Sequence, residues 1–140
     1  MINFTKDFRT IRRFLSKSIR EKLPDDAKII EVSVGESRRL NRIYLKKHKA
    51  TNVLSFRYGP GYGEIVLCPA LIRREAKASG TSYRCQMLWM ILHGTIHLAG
   101  LHHEKSKRAE RRVAQLEKKI LKKIKPCPVI QPRMVLHAKG

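Results

Sequence analysis

The stretch His93-Gly-Thr-Ile-His97-Leu-Ala-Gly100-Leu-His102-His103 carries the strongest structural signal in this sequence. His93 and His97 stand four residues apart, so on a helix their side chains leave the same face about one turn apart. Gly100 can adopt the left-handed conformation that ends a helix, and the chain can then turn so that His103 meets the first two histidines. The spacing H-x3-H-x5-H therefore predicts a metal site on a central helix and the turn that follows it.

Three neutral imidazoles are suitable ligands for zinc, and three protein ligands leave a fourth position open, as is typical of a catalytic site. We predict that His93, His97 and His103 hold one zinc ion per chain. An isolated histidine pair would more often belong to a core or a surface, but the third histidine and the glycine favour the metal site. His102 is left over, either as an exposed or neighbouring group or as a competitor for the third ligand position.

The same ligand spacing occurs in metalloproteases of the H-E-x-x-H-x-x-G-x-x-H type. Those enzymes carry their general-base glutamate directly after the first histidine, where this chain has Gly94. A peptidase of that type would lack its base. The pattern therefore indicates a metal-dependent hydrolase of another kind.

Apolar periodicity and turn residues on either side of the motif predict one α+β domain, with a small mixed sheet packed by helices. Leu40, Ile43 and Tyr44 are expected to point inward from the second helix. We place the single domain at residues 1–125 and an irregular basic tail at 126–140, where proline and basic residues follow no period. Helices are predicted over residues 4–23, 36–48, 69–79, 83–98 and 104–124, and strands over 28–34, 52–58 and 64–68.

The charge of the chain indicates its partner. Lysine and arginine number 31 against 11 aspartate and glutamate, which gives a net charge of +20. Such an excess attracts polyanions, so nucleic acid is the first expectation and an anionic membrane surface the second. The sequence has no apolar run long enough to span a bilayer. Three cysteines outside any C-x-x-C spacing favour reduced thiols and a cytoplasmic location.

The motif His93-Gly-x-x-His97-Leu-x-Gly100-x-x-His103 closely resembles the signature of the YbeY endoribonucleases, also called rRNA maturation factors. Further segments resemble that family in order and approximate spacing, and the similarity covers about residues 28–121. These segments are Leu40-Asn41, Thr51-Asn-Val-Leu-Ser-Phe56 and Gly63-Glu-Ile-Val-Leu-Cys68.

The resemblance implies a zincin-like fold, one zinc ion held by the three histidines, and metal-dependent cleavage of single-stranded RNA. It also implies a role in ribosomal RNA processing, namely 16S rRNA maturation, and in quality control of the small ribosomal subunit. The expected partners are ribosomal RNA, the small subunit and its proteins.

Two departures from the family pattern bear on catalysis. The acidic residue that the family carries before its last histidine is His102 here, and a functionally important family arginine aligns with Leu45. Lys46 can supply positive charge to the phosphate, although not the bidentate fork of an arginine. We predict catalytic roles for Lys46 and for His102, the latter in proton handling, which could also fall to the zinc-bound hydroxide or to a substrate group. Ser55 is a candidate for hydrogen bonding to substrate.

These departures leave three functional hypotheses. The first is a zinc-dependent endoribonuclease that acts on ribosomal RNA. The second is a non-catalytic ribosome-assembly or RNA-binding protein with a structural zinc, which the loss of the family arginine and aspartate motivates. The third is a metallohydrolase with a different substrate.

Overall fold

The computed structural model describes residues 4–101 and 106–124. Within them, helices and strands alternate in an α+β arrangement, as the sequence predicts. The elements are α1 Phe4–Phe14, α2 Lys17–Arg20, β1 Asp26–Glu31, α3 Val34–Leu45, β2 Val53–Arg57, β3 Tyr62–Leu67, α4 Pro69–Ser79, α5 Tyr83–Leu98 and α6 Lys107–Ile124.

The three strands form a mixed sheet in the order β1-β3-β2, so the prediction of a mixed sheet is confirmed. β1 runs parallel to β3, whereas β2 runs antiparallel to it, with Phe56 opposite Glu64. The glycine-rich segment between β2 and β3 closes a hairpin in which the Tyr58 amide donates to the Tyr62 carbonyl at 2.9 Å. β2 consequently lies at one edge of this sheet.

Helix α5 is the centre of the molecule. It contacts β2 and β3 as well as α1, α4 and α6, and nearly all of its residues are buried. The Ser82 hydroxyl caps its first turn by accepting from the Cys85 amide at 3.1 Å, and Gly100, at φ +84°, follows its last turn. Both signals are local to the sequence, and the predicted bounds of 83–98 are confirmed.

The first predicted helix is two helices. Ser16 lies between α1 and α2 in an extended conformation, and its hydroxyl accepts from the Ile19 amide at 3.4 Å. Serine is favoured at this capping position, because its oxygen accepts from an amide that has no partner inside the helix. The apolar spacing continues across the break, which is why a single helix over 4–23 was the wrong prediction.

The orientation predicted for α3 is also wrong, because Ile43 is 43% exposed and Tyr44 is 59% exposed. The buried side of α3 is polar instead. Ser37 Oγ donates to the Thr51 carbonyl at 2.7 Å, and Asn41 Nδ2 donates to the Lys49 carbonyl at 2.8 Å. These bonds fasten α3 to the segment that leads into β2.

An ion pair joins α1 to the start of α5. The Arg84 guanidinium donates to both oxygens of the buried Asp7 carboxylate, at 2.5 and 2.6 Å.

The cysteines differ from one another. Cys68 is a free, buried thiol, whereas Cys85 is disulfide-bonded, which contradicts the expectation of reduced thiols for Cys85. Among the described residues, no helix is both long enough and apolar enough to cross a bilayer.

Candidate metal centre

The two histidines of α5 lie one turn apart and face the same way. The centroids of the His93 and His97 rings are 4.6 Å apart. His93 is 1% exposed, and His97 is half-buried nearer the end of the helix. The sequence therefore placed the first two predicted ligands correctly relative to each other.

The third predicted ligand, His103, and the predicted catalytic residue His102 lie outside the described residues. Within residues 4–101 and 106–124, no group of three or more histidine, cysteine or acidic side chains is arranged to hold a metal ion. The complete three-histidine set thus remains a prediction.

A buried carboxylate on α6 contacts His93. Glu117 is 3% exposed, and its Oε2 lies 2.5 Å from Nδ1 of His93. Its other oxygen, Oε1, accepts a hydrogen bond of 3.0 Å from Nε1 of Trp89, which lies one turn before His93 on α5. Both oxygens of Glu117 are therefore engaged by α5.

This contact assigns the tautomer of His93. A carboxylate only accepts hydrogen bonds, so Nδ1 of His93 must carry the proton that it shares with Glu117. In the neutral imidazole, Nε2 is then the unprotonated nitrogen, which is the form that ligates a metal. A carboxylate on the far nitrogen is a recurrent arrangement behind metal-binding histidines. His93 and His97 are therefore suitable in type and spacing as two of the three predicted zinc ligands.

Position 94 points at the sheet rather than at the histidines. A Cβ added to Gly94 would come within 2.8 Å of Ile65 Cγ2 and 3.0 Å of Ser55 Oγ. Consecutive residues on a helix differ by about 100° in direction, so His93 faces α6 while residue 94 faces β2 and β3. A glutamate cannot be accommodated here, which gives the exclusion of a metalloprotease a steric reason.

Ser55 holds α5 against β2. Its hydroxyl donates to the Gly94 carbonyl at 2.9 Å, so its proton is used within the fold. The hydroxyl oxygen can still accept a hydrogen bond, so a contact between Ser55 and substrate remains a prediction.

Arg57 secures the end of α5 next to His97. Its Nη1 donates to the carbonyl of Leu98, the last residue of the helix, at 2.7 Å, and to the carbonyl of Lys22 at 2.5 Å. Carbonyls at a helix C-terminus lack partners inside the helix and attract cations. The sequence showed Arg57 only as a polar residue at the end of a strand, and it gave no indication of this contact.

Lys46 ends α3 in the left-handed conformation, with φ +59°. Its amide donates to the Arg42 carbonyl at 3.2 Å, and its side chain is exposed. Leu45, which the resemblance aligns with a family arginine, is 38% exposed. The catalytic role of Lys46 remains a prediction.

Glu117 was missed by sequence reasoning, although a signal was present. It stands four residues after Val113 and four before Leu121, both of which are buried on the apolar stripe of α6. A single carboxylate on the apolar side of a helix must have a partner inside the protein, because an unpaired buried charge is costly. The strongly basic composition of the helix concealed that signal.

Comparisons with known proteins identify the family of this chain. The family model described as Endoribonuclease YbeY matches residues 2–125. An endoribonuclease YbeY of Verminephrobacter eiseniae is 38% identical over 104 residues, which cover 71% of this chain and 68% of the relative. One of Pseudomonas putida is 32% identical over 126 residues, covering 84% and 80%.

The fold has a counterpart among solved structures. The solution structure of a Thermotoga maritima protein superposes with a TM-score of 0.58 at 23% identity, covering 89% of this chain and 85% of that one. At this identity, the likeness supports the fold alone.

Proposed function

The chain belongs to the family of endoribonuclease YbeY, and on this premise we propose that it uses one zinc ion to cleave single-stranded RNA. Membership of this family supports the general activity, which is hydrolysis of phosphodiester bonds within RNA. The observation that supports zinc is the contact between Glu117 and Nδ1 of His93. It directs the lone pair of Nε2 away from α6, as a metal ligand requires.

His93 and His97 would hold the ion together with His103. When bound, zinc supplies an activated water near neutral pH and polarises a phosphoryl oxygen. Glu117 keeps the proton on Nδ1 of His93, and Arg57 keeps the last turn of α5 in place through the Leu98 carbonyl. We assign Lys46 to the negative charge that develops on the phosphate and His102 to proton handling.

The proposed substrate is ribosomal RNA, with 16S rRNA maturation and quality control of the small subunit as the biological setting. The net charge of +20 supports a large polyanionic partner. Small-subunit ribosomal proteins are further candidate partners. We propose a cytoplasmic location because the substrate is ribosomal RNA.

One observation favours a second candidate function. The exposed Leu45 replaces a family arginine with a side chain that offers phosphate neither charge nor a hydrogen bond. A ribosome-assembly protein that binds RNA and holds zinc only for structure would tolerate this change. It is the alternative against which the nuclease is tested.

The decisive experiment measures zinc content and cleavage on the same preparation. We expect about one zinc per chain and cutting of single-stranded ribosomal RNA. His97→Ala should abolish cutting while salt-sensitive RNA binding survives. His48→Ala, an exposed histidine outside the motif, should behave as the unaltered protein does.

Each outcome is informative. A folded protein that contains no metal and still cuts RNA would contradict the role of zinc. A protein that holds zinc and binds ribosomes but never cuts would favour the structural alternative.

A further inference from the structure

Four aromatic side chains gather on the face of the sheet opposite α5. Val53 and Ser55 lie against Gly94 of α5, so the alternation of a strand directs Phe56 to the other face. Tyr62 shares that face, because it lies two residues before Glu64, the partner of Phe56. We call Tyr44, Phe56, Tyr58 and Tyr62 the aromatic face.

The rings form an ordered group. Tyr44 packs edge-on against Phe56 with ring centroids 5.0 Å apart. Tyr58 and Tyr62 are stacked at 5.8 Å with an angle of 24° between their planes. Both of their hydroxyls donate to the carboxylate of Glu64, at 3.0 and 2.9 Å. Partner rings and these hydrogen bonds therefore hold the group in position.

Two members of the group are nevertheless strongly exposed. Tyr44 is 59% exposed and Tyr58 is 62% exposed, the two largest values among the exposed large hydrophobic side chains of the described residues. Fixed rings that face solvent lose little conformational freedom when a flat partner binds them. Partial burial, together with Glu64, raises the pKa of Tyr58, so its ring stays neutral under ordinary conditions.

Basic residues stand close to Tyr44 along the chain and form the basic margin of this face. Arg42 is in the last turn of α3 with Tyr44, and Lys46, Lys47 and Lys49 follow within five residues of it. Glu64 is the carboxylate between the two stacked tyrosines, and it is engaged by both of their hydroxyls. The aromatic face thus combines neutral, exposed rings with a basic margin.

We propose that the aromatic face binds unpaired bases of single-stranded RNA, with Tyr44 and Tyr58 as stacking surfaces and the lysines after α3 as phosphate contacts. Aromatic rings beside basic side chains are the usual means of binding single strands without reading their sequence. The inference deepens the proposed function and rests on it for the identity of the strand. A protein partner is the competing occupant, and the basic margin together with the net charge of +20 favours RNA.

The test compares ring removal with ring retention. Binding of a labelled single-stranded RNA of about 12 nucleotides is measured by fluorescence anisotropy on the full chain, with gels run in parallel to confirm intact RNA. Tyr44→Ala and Tyr58→Ala should each weaken binding about 5- to 100-fold. Tyr44→Phe is the matched control, because it keeps the ring, and it should bind as the unaltered protein does. Emission of the buried Trp89 reports that each variant is folded.

Salt dependence separates stacking from charge. Removing an uncharged ring should leave the slope of log Kd against log salt unchanged, whereas Lys49→Gln should reduce that slope by about 0.7. Duplex RNA of the same sequence should be little affected by the tyrosine variants, since its bases are already paired. An equal loss on duplex RNA, or a changed slope in Tyr44→Ala, would overturn stacking.

Two outcomes distinguish this inference from the proposed function. If the protein needs Tyr44 and Tyr58 to bind RNA but never cuts it, the role of the aromatic face stands and the proposed nuclease function is contradicted. Folded alanine variants that bind single strands at full affinity would overturn the aromatic face whether or not the protein cuts. If these alanine variants keep their affinity for single-stranded RNA but lose binding to a protein partner, the aromatic face belongs to that partner.

Discussion

The imidazole of His93 lies between a carboxylate and the proposed metal. Trp89 fixes the role of each Glu117 oxygen, because an indole nitrogen only donates and so must meet an acceptor at Oε1. Oε2 is left to accept from His93. Three side chains on two helices thus determine which imidazole nitrogen carries the proton.

Replacing Glu117 by glutamine should reverse that assignment. The amide oxygen must stay with Trp89, so the amide NH2 group faces Nδ1 of His93 and donates to it. The proton then moves to Nε2, and zinc affinity should fall about 10- to 100-fold. Competition titration against a chelating dye measures the affinity, and nitrogen NMR of the histidines reports the tautomer.

Glu110→Gln is the matched control, since Glu110 is exposed on the same helix. It should leave zinc affinity unchanged. Undiminished zinc binding in folded Glu117→Gln would show that this carboxylate does not orient His93.

At the scale of elements, α5 is held at both ends by arginines. Arg84 pairs with Asp7 of α1 near its start, and Arg57 binds the Leu98 carbonyl at its end. His97, the second predicted ligand, lies in the last turn of α5. Its position therefore depends on that turn staying helical.

Arg57→Met should loosen this end while keeping much of the apolar stem of the side chain. Amide hydrogen exchange in residues 95–101 should become faster, and zinc should bind more weakly because His97 is less well positioned. Hydrogen-exchange mass spectrometry measures the first effect. Arg38→Met, an exposed change on α3, is expected to alter neither. Unchanged exchange in Arg57→Met would contradict the role given to Arg57.

The sequence predicted the elements to different degrees, for physical reasons. The bounds of α5 were predictable because a serine cap and a left-handed glycine are signals within a few residues. The orientation of α3 was not, because its buried contacts are hydrogen bonds from Ser37 and Asn41 to residues 49–51, and apolar periodicity contains no such information. Glu117 and Arg57 depend on contacts between residues far apart in sequence, which only the folded chain reveals.

At the scale of the whole molecule, positive charge dominates. The exposed side of α6 is rich in lysine and arginine, while its buried side carries Val113, Glu117, Ile120 and Leu121. From one side the helix thus provides the carboxylate that contacts His93, and from the other side it provides a basic surface.

RNA affinity should accordingly depend steeply on salt. For single strands, the slope of log K against log salt changes by about 0.7 for each phosphate contact. The double variant Lys118→Gln and Lys122→Gln changes two lysines on the exposed side of α6. It should make that slope shallower by about 1.4 if both lysines contact the strand. Anisotropy titrations across a salt series measure the slope. An unchanged slope would exclude α6 from the RNA-binding surface.

The close approach of Gly94 to Ile65 and Ser55 also limits what protein engineers could build on this scaffold. Introducing the protease glutamate at position 94 would force the central helix away from the sheet and disturb the histidines that the new base should assist. A designer who wanted peptide hydrolysis would have to bring the base from a different segment of the chain. The packing of one helix against two strands therefore separates two chemistries that share the same ligand spacing.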